Sequence, residues 1–276
     1  MDRIGLNGAF NSGRAWHGLQ NTRALVFFFA LLFSGLAFAH PEDELCDPSR
    51  DAMDPQLCVM LAQLNSAEGS LNQQSTLVFD VLETRGVFET LGRFVFVGAR
   101  HILPGGLDHI LFVLAIFLAA RRAASLIWQI SAFTLAHTIT LALAATGMVN
   151  LPASFVEPFI AFTIAFVAIE NLLFRDVFRW RPAVVFIFGL IHGLGFASFF
   201  SALDLPVGLF WSALIGFNIG VEVGQLSIIA LAALAVHLVL RTSAEDVRYQ
   251  KWIVRPGSAL IGLSGLWWGI SALLNL

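Results

Sequence analysis

The sequence predicts an all-α membrane protein, a polytopic helical bundle with about six transmembrane helices after a cleavable signal peptide. Of its 276 residues, 57% are hydrophobic and only 13% are charged, whereas soluble domains carry about 25% charged residues. The apolar residues come in runs long enough to cross about 30 Å of hydrocarbon. These runs do not alternate polar and apolar residues as the strands of a membrane barrel do, so they are expected to be helices.

The N-terminus carries the pattern of an export signal. Arginines precede the apolar run ALVFFFALLFSGLAF, and Ala37 and Ala39 occupy the small-residue positions of a cleavage site at its end. We therefore expect residues 1–39 to be a signal peptide and His40 to begin the mature chain outside the cytoplasm. An uncleaved anchor helix is the alternative.

Residues 40–97 are predicted to form an exported N-terminal extension, because the chain from Glu42 to Glu89 is polar and acidic. Cys46 and Cys58 both lie in it. In an oxidising compartment they can form a disulfide, and two free thiols are the alternative. Their spacing fits no zinc signature.

Residues 98–276 are predicted to form the transmembrane domain. Its six apolar stretches run from about Gly105 to Ala120, Ala124 to Thr146, Ser154 to Phe174, Pro182 to Ala202, within Leu209 to Leu240, and Pro256 to Leu276. Basic residues occur only in every second loop between these stretches, and such loops face the cytoplasm. We therefore expect a bacterial inner (cytoplasmic) membrane protein whose mature N-terminus and C-terminus are periplasmic.

Three histidines are predicted to lie near the middle of the membrane. At about 1.5 Å per helical residue, His109, His137 and His192 fall about 15–20 Å from the cytoplasmic ends of their helices. Asp108 lies beside them, and His101 is expected at the outer surface above them. Such residues are costly in hydrocarbon and face the bundle interior. We expect the three imidazoles to share one ion, with Asp108 or His101 closing the site from outside. The alternative is that each histidine bonds its own backbone carbonyl or a hydroxyl.

A second group of polar residues is predicted to line a hydrated path. Asn218, Glu222 and Gln225 share a face of the fifth helix, and Glu170 and Asn171 lie near the cytoplasmic end of the third. Alternatively, the Glu170 carboxylate reaches Arg175 or water at the membrane interface.

Five motifs together resemble the HupE/UreJ family of bacterial membrane proteins, in its longer branch with a secreted extension. They are GGLDHILFVLAIFL, FTLAHTITLALA, VEPFIAFTIAFVAIEN, FGLIHGLGFA and FNIGVEVGQL. The resemblance implies a nickel or cobalt permease associated with hydrogenases and ureases, and it implies metalloenzyme maturation proteins as partners. Carried over by motif, it implies that the metal ligands are His101, Asp108, His109, His137 and His192. In place of the compact first helix of shorter members, this chain has HILPGGLDH.

The favoured function is therefore a permease, rather than an enzyme, for a divalent transition metal, with nickel as the first choice and cobalt as the second. The partners are then the metal ion and the lipid bilayer, and the net charge of −3 gives no reason to expect nucleic acid. The chain has no GxxxxGK[ST] loop, so transport would be passive, ion-coupled or dependent on a partner. The alternatives are a membrane-embedded zinc-dependent hydrolase and a non-transporting assembly factor.

Overall fold

The fold was analysed in a computed structural model, which describes residues 86–149, 151–174, 179–196, 200, 205, 207–240 and 249–274. The predicted signal peptide and both cysteines lie outside the described residues. The described helices are α1 (Val87–Ile102), α2 (Leu107–Ala119), α3 (Ala123–Ala145), α4 (Ala153–Leu173), α5 (Arg181–Gly195), α6 (Val207–Leu240) and α7 (Arg255–Leu274), the last preceded by a π-helical turn (Gln250–Val254). The described part contains no strand, which confirms the all-α prediction.

The lengths of these helices fit a polytopic membrane protein. Four of them contain segments long and apolar enough to span a bilayer: Ala123–Ala145, Ser154–Leu173, Gly208–Leu238 and Gln250–Leu274. Helices α1 and α2 meet that test together as a fifth, bent span. Helix α5 is also apolar, but its 15 described residues are fewer than a simple crossing needs.

The first span differs from the prediction, because it does not begin at Gly105. It begins with α1, and the break at Leu103–Gly106 turns the chain by 73° before α2 starts. The predicted boundary between extension and membrane domain, at residues 97 and 98, falls inside α1. This helix was missed because Glu89, Arg93 and Arg100 make its sequence look like part of the polar extension.

Helix α1 runs parallel to α6 in close contact. Leu91 lies against Gly216, Val95 against Gly220 and Ile102 against Gly224, and a Cβ atom on Gly98 would overlap the carbonyl of Phe217. Small residues allow such close backbone approach in membrane helices. The start of α1 therefore lies at the same end of the bundle as the start of α6.

Helix α2 ends at the opposite side of the bundle. Leu118 contacts Gly257 at the start of α7, and the Ala115 carbonyl accepts a hydrogen bond from Asn171 near the end of α4. The α1–α2 pair therefore crosses the bundle once, as a broken helix. Most of α2 is buried, including Phe112, Val113 and Ile116, so its uniformly apolar sequence faces other helices.

Two further helix pairs surround α2. Helix α3 packs on α5 and α4 packs on α7, and α2 contacts α3, α4, α6 and α7. The α3–α5 contact depends on Gly189 and Gly193, where a Cβ atom would come within 2.5 Å of the Phe133 carbonyl and 2.6 Å of the His137 carbonyl. Close packing at these glycines holds the histidine-bearing turns of α3 and α5 side by side.

Candidate metal centre

The break between α1 and α2 lies beside the candidate site. His101 is in the last turn of α1, and Asp108 and His109 are in the first turn of α2. A Cβ atom on Gly106 would come within 2.5 Å of the His101 carbonyl and 3.3 Å of His109 Nδ1. The glycine in the Pro-Gly-Gly sequence therefore allows the two half-helices to meet closely. A carboxylate also suits the first turn of α2, because a helix N-terminus favours negative charge.

The structure brings four histidines together in the bundle interior. The ring centre of His109 lies 4.9 Å from that of His101, 5.8 Å from that of His137 and 5.2 Å from that of His192. No more than 4% of any of these four residues is exposed. The structure therefore places His137 and His192 each beside His109, but it divides these two histidines between different groups of possible ligands.

His101 requires a correction. It was expected at the outer surface above the other histidines, whereas it is buried among them with its ring centre 6.4 Å from that of His137. The physical reason is the position of the helix break. Because α1 enters the bundle before the chain turns, the break lies level with the other histidines.

The ligating atoms form two overlapping groups. His101, His109 and His137 can each offer a nitrogen such that the three atoms lie within 4.8 Å of one another. Asp108, His109 and His192 form a second group within the same limit. His109 belongs to both. In tetrahedral coordination with bonds of about 2.0–2.1 Å, two nitrogens bound to one ion are separated by about 3.3 Å. Modest side-chain movement would therefore bring the atoms of either group from their present separations to those needed to hold an ion.

Three of the histidines use one ring nitrogen in a hydrogen bond to a neighbouring side chain. His109 Nδ1 is 3.1 Å from Asp108 Oδ1, His137 Nδ1 is 3.3 Å from Asn218 Oδ1, and His192 Nε2 is 2.8 Å from Thr163 Oγ1. Metal-binding histidines are commonly held in this way by a partner on the second nitrogen.

The remaining nitrogens of the cluster are buried and have no hydrogen-bond partner within the described part of the chain. These atoms are His109 Nε2, His137 Nε2, His192 Nδ1 and both ring nitrogens of His101. Buried polar atoms are nearly always satisfied, and leaving one without a partner is costly. The alternative that each histidine is satisfied by a backbone carbonyl or a hydroxyl accounts for one nitrogen of His192 and leaves these five atoms unexplained.

Aromatic rings enclose the four imidazoles. Phe196 lies 4.2 Å from His101 and Phe217 lies 5.4 Å from it, measured between ring centres. Phe112 and Phe133 lie 5.0 and 5.1 Å from His192. These side chains pack around the imidazoles, and the sequence did not single them out because the chain has 26 phenylalanines.

Asp108 provides both charge and access. Its side chain is 32% exposed, whereas that of His109 is 3% exposed. The partly exposed carboxylate therefore links the buried imidazoles to the exposed side of the cluster. Its negative charge can offset part of the charge of a divalent cation, and imidazole with carboxylate is a donor set suited to such ions.

The predicted polar face of α6 lies against α3. Asn218 bonds His137, Ser131 donates to Glu222 at 2.7 Å, and Thr134 donates to Gln225 at 3.0 Å. The last two pairs lie one to two turns from the histidine level. Together with the His137–Asn218 pair, they place three polar contacts along the interface between α3 and α6.

Glu170 and Asn171 lie elsewhere, at the end of the bundle where α2 ends. Glu170 Oε2 is 3.5 Å from Arg181 Nε, and Asn171 Oδ1 accepts a hydrogen bond from Arg181 Nη2. Asn171 also donates to the Ala115 carbonyl and to Ser258. Arg181 begins α5, one residue before the predicted start of the fourth apolar stretch, and it is only 2% exposed. This network joins α2, α4, α5 and α7.

Comparison with known proteins places the chain in a family. The model of the family described as HupE / UreJ protein matches residues 79–272. The chain belongs to the HupE/UreJ family. The match begins before α1 and ends within α7, so the broken span and the whole histidine cluster lie inside it. No curated protein and no solved structure matches this HupE/UreJ protein.

Membership agrees with the apolar helices in indicating a membrane protein. The HupE/UreJ family is generally associated with nickel or cobalt transport and with urease or hydrogenase maturation.

Proposed function

We propose that this HupE/UreJ protein is a membrane permease for a divalent transition metal ion, with Ni²⁺ as the first candidate and Co²⁺ as the second. The observation that carries the proposal is a set of buried ring nitrogens, from four histidines on four helices, that have no partner among the described residues. Neutral imidazole suits Ni²⁺, Zn²⁺, Cu²⁺ and iron. A bound cation would satisfy the bare nitrogens among them, since each neutral imidazole keeps hydrogen on its other nitrogen.

The surroundings of the cluster suggest how an ion would pass. Asp108 would receive the ion, because it is partly exposed and lies 3.1 Å from His109. One of the two groups that share His109 would then hold the ion among the aromatic rings. Glu222 and Gln225 would take it onward along the α3–α6 interface, where each already contacts a hydroxyl. Intramembrane carboxylates of this kind commonly mark ion pathways.

Glu170 and Asn171 fit this route less well. Their partners Arg181 and Ser258 join helices at the end of the bundle, and the Arg181 guanidinium would repel a cation. We assign these two residues to holding that end of the bundle closed while the cluster is loaded.

The proposal has two further parts. We place the protein in the bacterial inner membrane with both mature ends in the periplasm, based on the basic loops. We also propose that the imported metal reaches metalloenzyme maturation proteins, as the family association suggests.

The proposal is tested by metal uptake into vesicles that contain the purified protein. We expect Ni²⁺ or Co²⁺ to enter wild-type vesicles and His137→Gln to reduce entry to the level of empty vesicles. His237→Gln is the matched control, because His237 is an exposed histidine on α6. Absence of Ni²⁺, Co²⁺ and Zn²⁺ uptake by the wild type would contradict the proposal. Near-stoichiometric zinc retained through dialysis, without uptake, would favour a hydrolase instead.

A further inference from the structure

We propose that two residues outside the ligand set, Thr163 and Asn218, are positioning residues that select the metal-binding nitrogen of their histidines. Thr163 makes His192 bind through Nδ1, and Asn218 makes His137 bind through Nε2. The inference rests on the proposed function, because it describes how that site is prepared for the ion.

The Thr163 hydroxyl has a single proton, and the geometry indicates where it goes. Thr163 Oγ1 donates to the Ile160 carbonyl at 2.7 Å, as hydroxyls in membrane helices commonly do. The same oxygen lies 2.8 Å from His192 Nε2. Having donated its proton, the hydroxyl accepts, so His192 Nε2 carries the hydrogen. In a neutral imidazole the other nitrogen, Nδ1, is then a bare acceptor.

The opposite assignment is unfavourable. If Thr163 donated to His192 Nε2, the hydrogen of His192 would be on Nδ1. That atom is buried and has no acceptor within the described residues, so an N–H donor would be left unsatisfied. The short bond to the Ile160 carbonyl would also be lost.

Asn218 fixes His137 by the same reasoning, with the two ring nitrogens exchanged. The Asn218 amide nitrogen donates to the Leu214 carbonyl at 2.8 Å, which orients the amide. The amide oxygen then faces His137 Nδ1 at 3.3 Å. Because this oxygen only accepts, Nδ1 carries the hydrogen and Nε2 is bare. His137 Nε2 is buried and has no hydrogen-bond partner among the residues that the structure describes.

Fixing these hydrogens before the ion arrives has a functional consequence. A histidine with the wrong tautomer would point an N–H group at the cation and would have to rearrange inside a dry cluster. Thr163 and Asn218 are 5% and 6% exposed, so water cannot readily replace them. Loss of such a partner typically weakens metal binding by about 10–100-fold.

The first test measures tautomers in the metal-free protein. Nitrogen-15 NMR of protein labelled at histidine distinguishes the two protonated forms, and spectra of His192→Gln and His137→Gln identify each signal. We expect hydrogen on Nε2 of His192 and on Nδ1 of His137. Thr163→Val should change the His192 signals alone. Hydrogen on Nδ1 of His192 in the wild type would overturn the proposal. Because this measurement needs neither metal nor transport, it can succeed or fail independently of the proposed function.

The second test measures Ni²⁺ affinity in purified variants. Thr163→Val should weaken binding by about 10–100-fold, and Thr163→Ser, which keeps the hydroxyl, should restore it. Thr140→Val is the matched control, because Thr140 is a buried threonine whose hydroxyl, within the described part of the chain, bonds the Ala136 carbonyl and no histidine. Equal affinity in Thr163→Val and Thr140→Val would overturn the positioning role.

The Asn218 variants are tested in the same way. Asn218→Leu should weaken Ni²⁺ binding as Thr163→Val does, and Asn218→Asp, which keeps the acceptor oxygen, should bind Ni²⁺ more tightly than Asn218→Leu.

Discussion

Replacing Gly106 by alanine tests whether the helix break sets the geometry of the metal centre. A Cβ atom at this position would lie 2.5 Å from the His101 carbonyl oxygen, whereas ordinary contact begins at 3.4 Å. The ends of α1 and α2 must therefore move apart by about 0.9 Å. The same atom would lie 3.3 Å from His109 Nδ1 and would also press on that ring.

A displacement of this size matters because metal–ligand distances tolerate only about ±0.2 Å. His101 and His109 are on the two sides of the break, so the change would separate two ligands of one group. We therefore expect Gly106→Ala to weaken Ni²⁺ binding by at least about tenfold. For comparison, in enzyme active sites a misplacement of about 1 Å can lower the reaction rate by about 10²-fold.

Equilibrium dialysis of Ni²⁺ against the purified variants measures this effect, with thermal unfolding recorded in parallel. Gly92→Ala is the control, because Gly92 lies on α1 and a Cβ atom there meets nothing within 4 Å. It should leave binding unchanged and stabilise the helix by up to about 1 kcal/mol. Wild-type affinity in Gly106→Ala would refute the reasoning, since the half-helices could then separate without disturbing the ligands.

Two other predictions concern the carboxylates. Glu170→Gln should lower the free energy of unfolding by about 3–5 kcal/mol, because it leaves the buried Arg181 without its carboxylate. In thermal unfolding, the double variant Glu170→Gln, Arg181→Met should recover part of that loss. Additive losses from the two substitutions would argue against the ion pair. Glu222→Gln should slow Ni²⁺ uptake into vesicles while leaving equilibrium binding at the cluster nearly unchanged, and the exposed Glu157→Gln should alter neither. An equal loss of binding and uptake in Glu222→Gln would place Glu222 in the binding site itself.

The sequence was sufficient to predict the helices that have long apolar runs and the proximity of three histidines. Because the rise of an α-helix is fixed, counting residues from one end of each span predicts a similar level for His109, His137 and His192, and the structure places both His137 and His192 beside His109. The count failed for His101 because its position depends on α1. That helix contains Glu89 and Arg100, and its membrane assignment depends on packing against α6.

The hydrogen-bond partners of the histidines were harder to predict. Thr163 carries no sequence signal, because a hydroxyl in a membrane helix usually bonds its own backbone, and Thr163 does this too. Its second contact, with His192, depends on how α4 packs against α5. Asn218 was expected on a polar face, but its specific partner His137 is 81 residues away in the chain. Such pairings are set by tertiary packing and not by local pattern.

The most direct test of the central claim is X-ray absorption spectroscopy of the purified protein loaded with Ni²⁺, together with the metal content per chain. We predict about one bound ion per chain with an imidazole-rich ligand shell, which His137→Gln should deplete and which His237→Gln should leave intact. A shell of oxygen ligands alone, or binding that survives His137→Gln unchanged, would contradict the claim that the buried histidine cluster holds the metal.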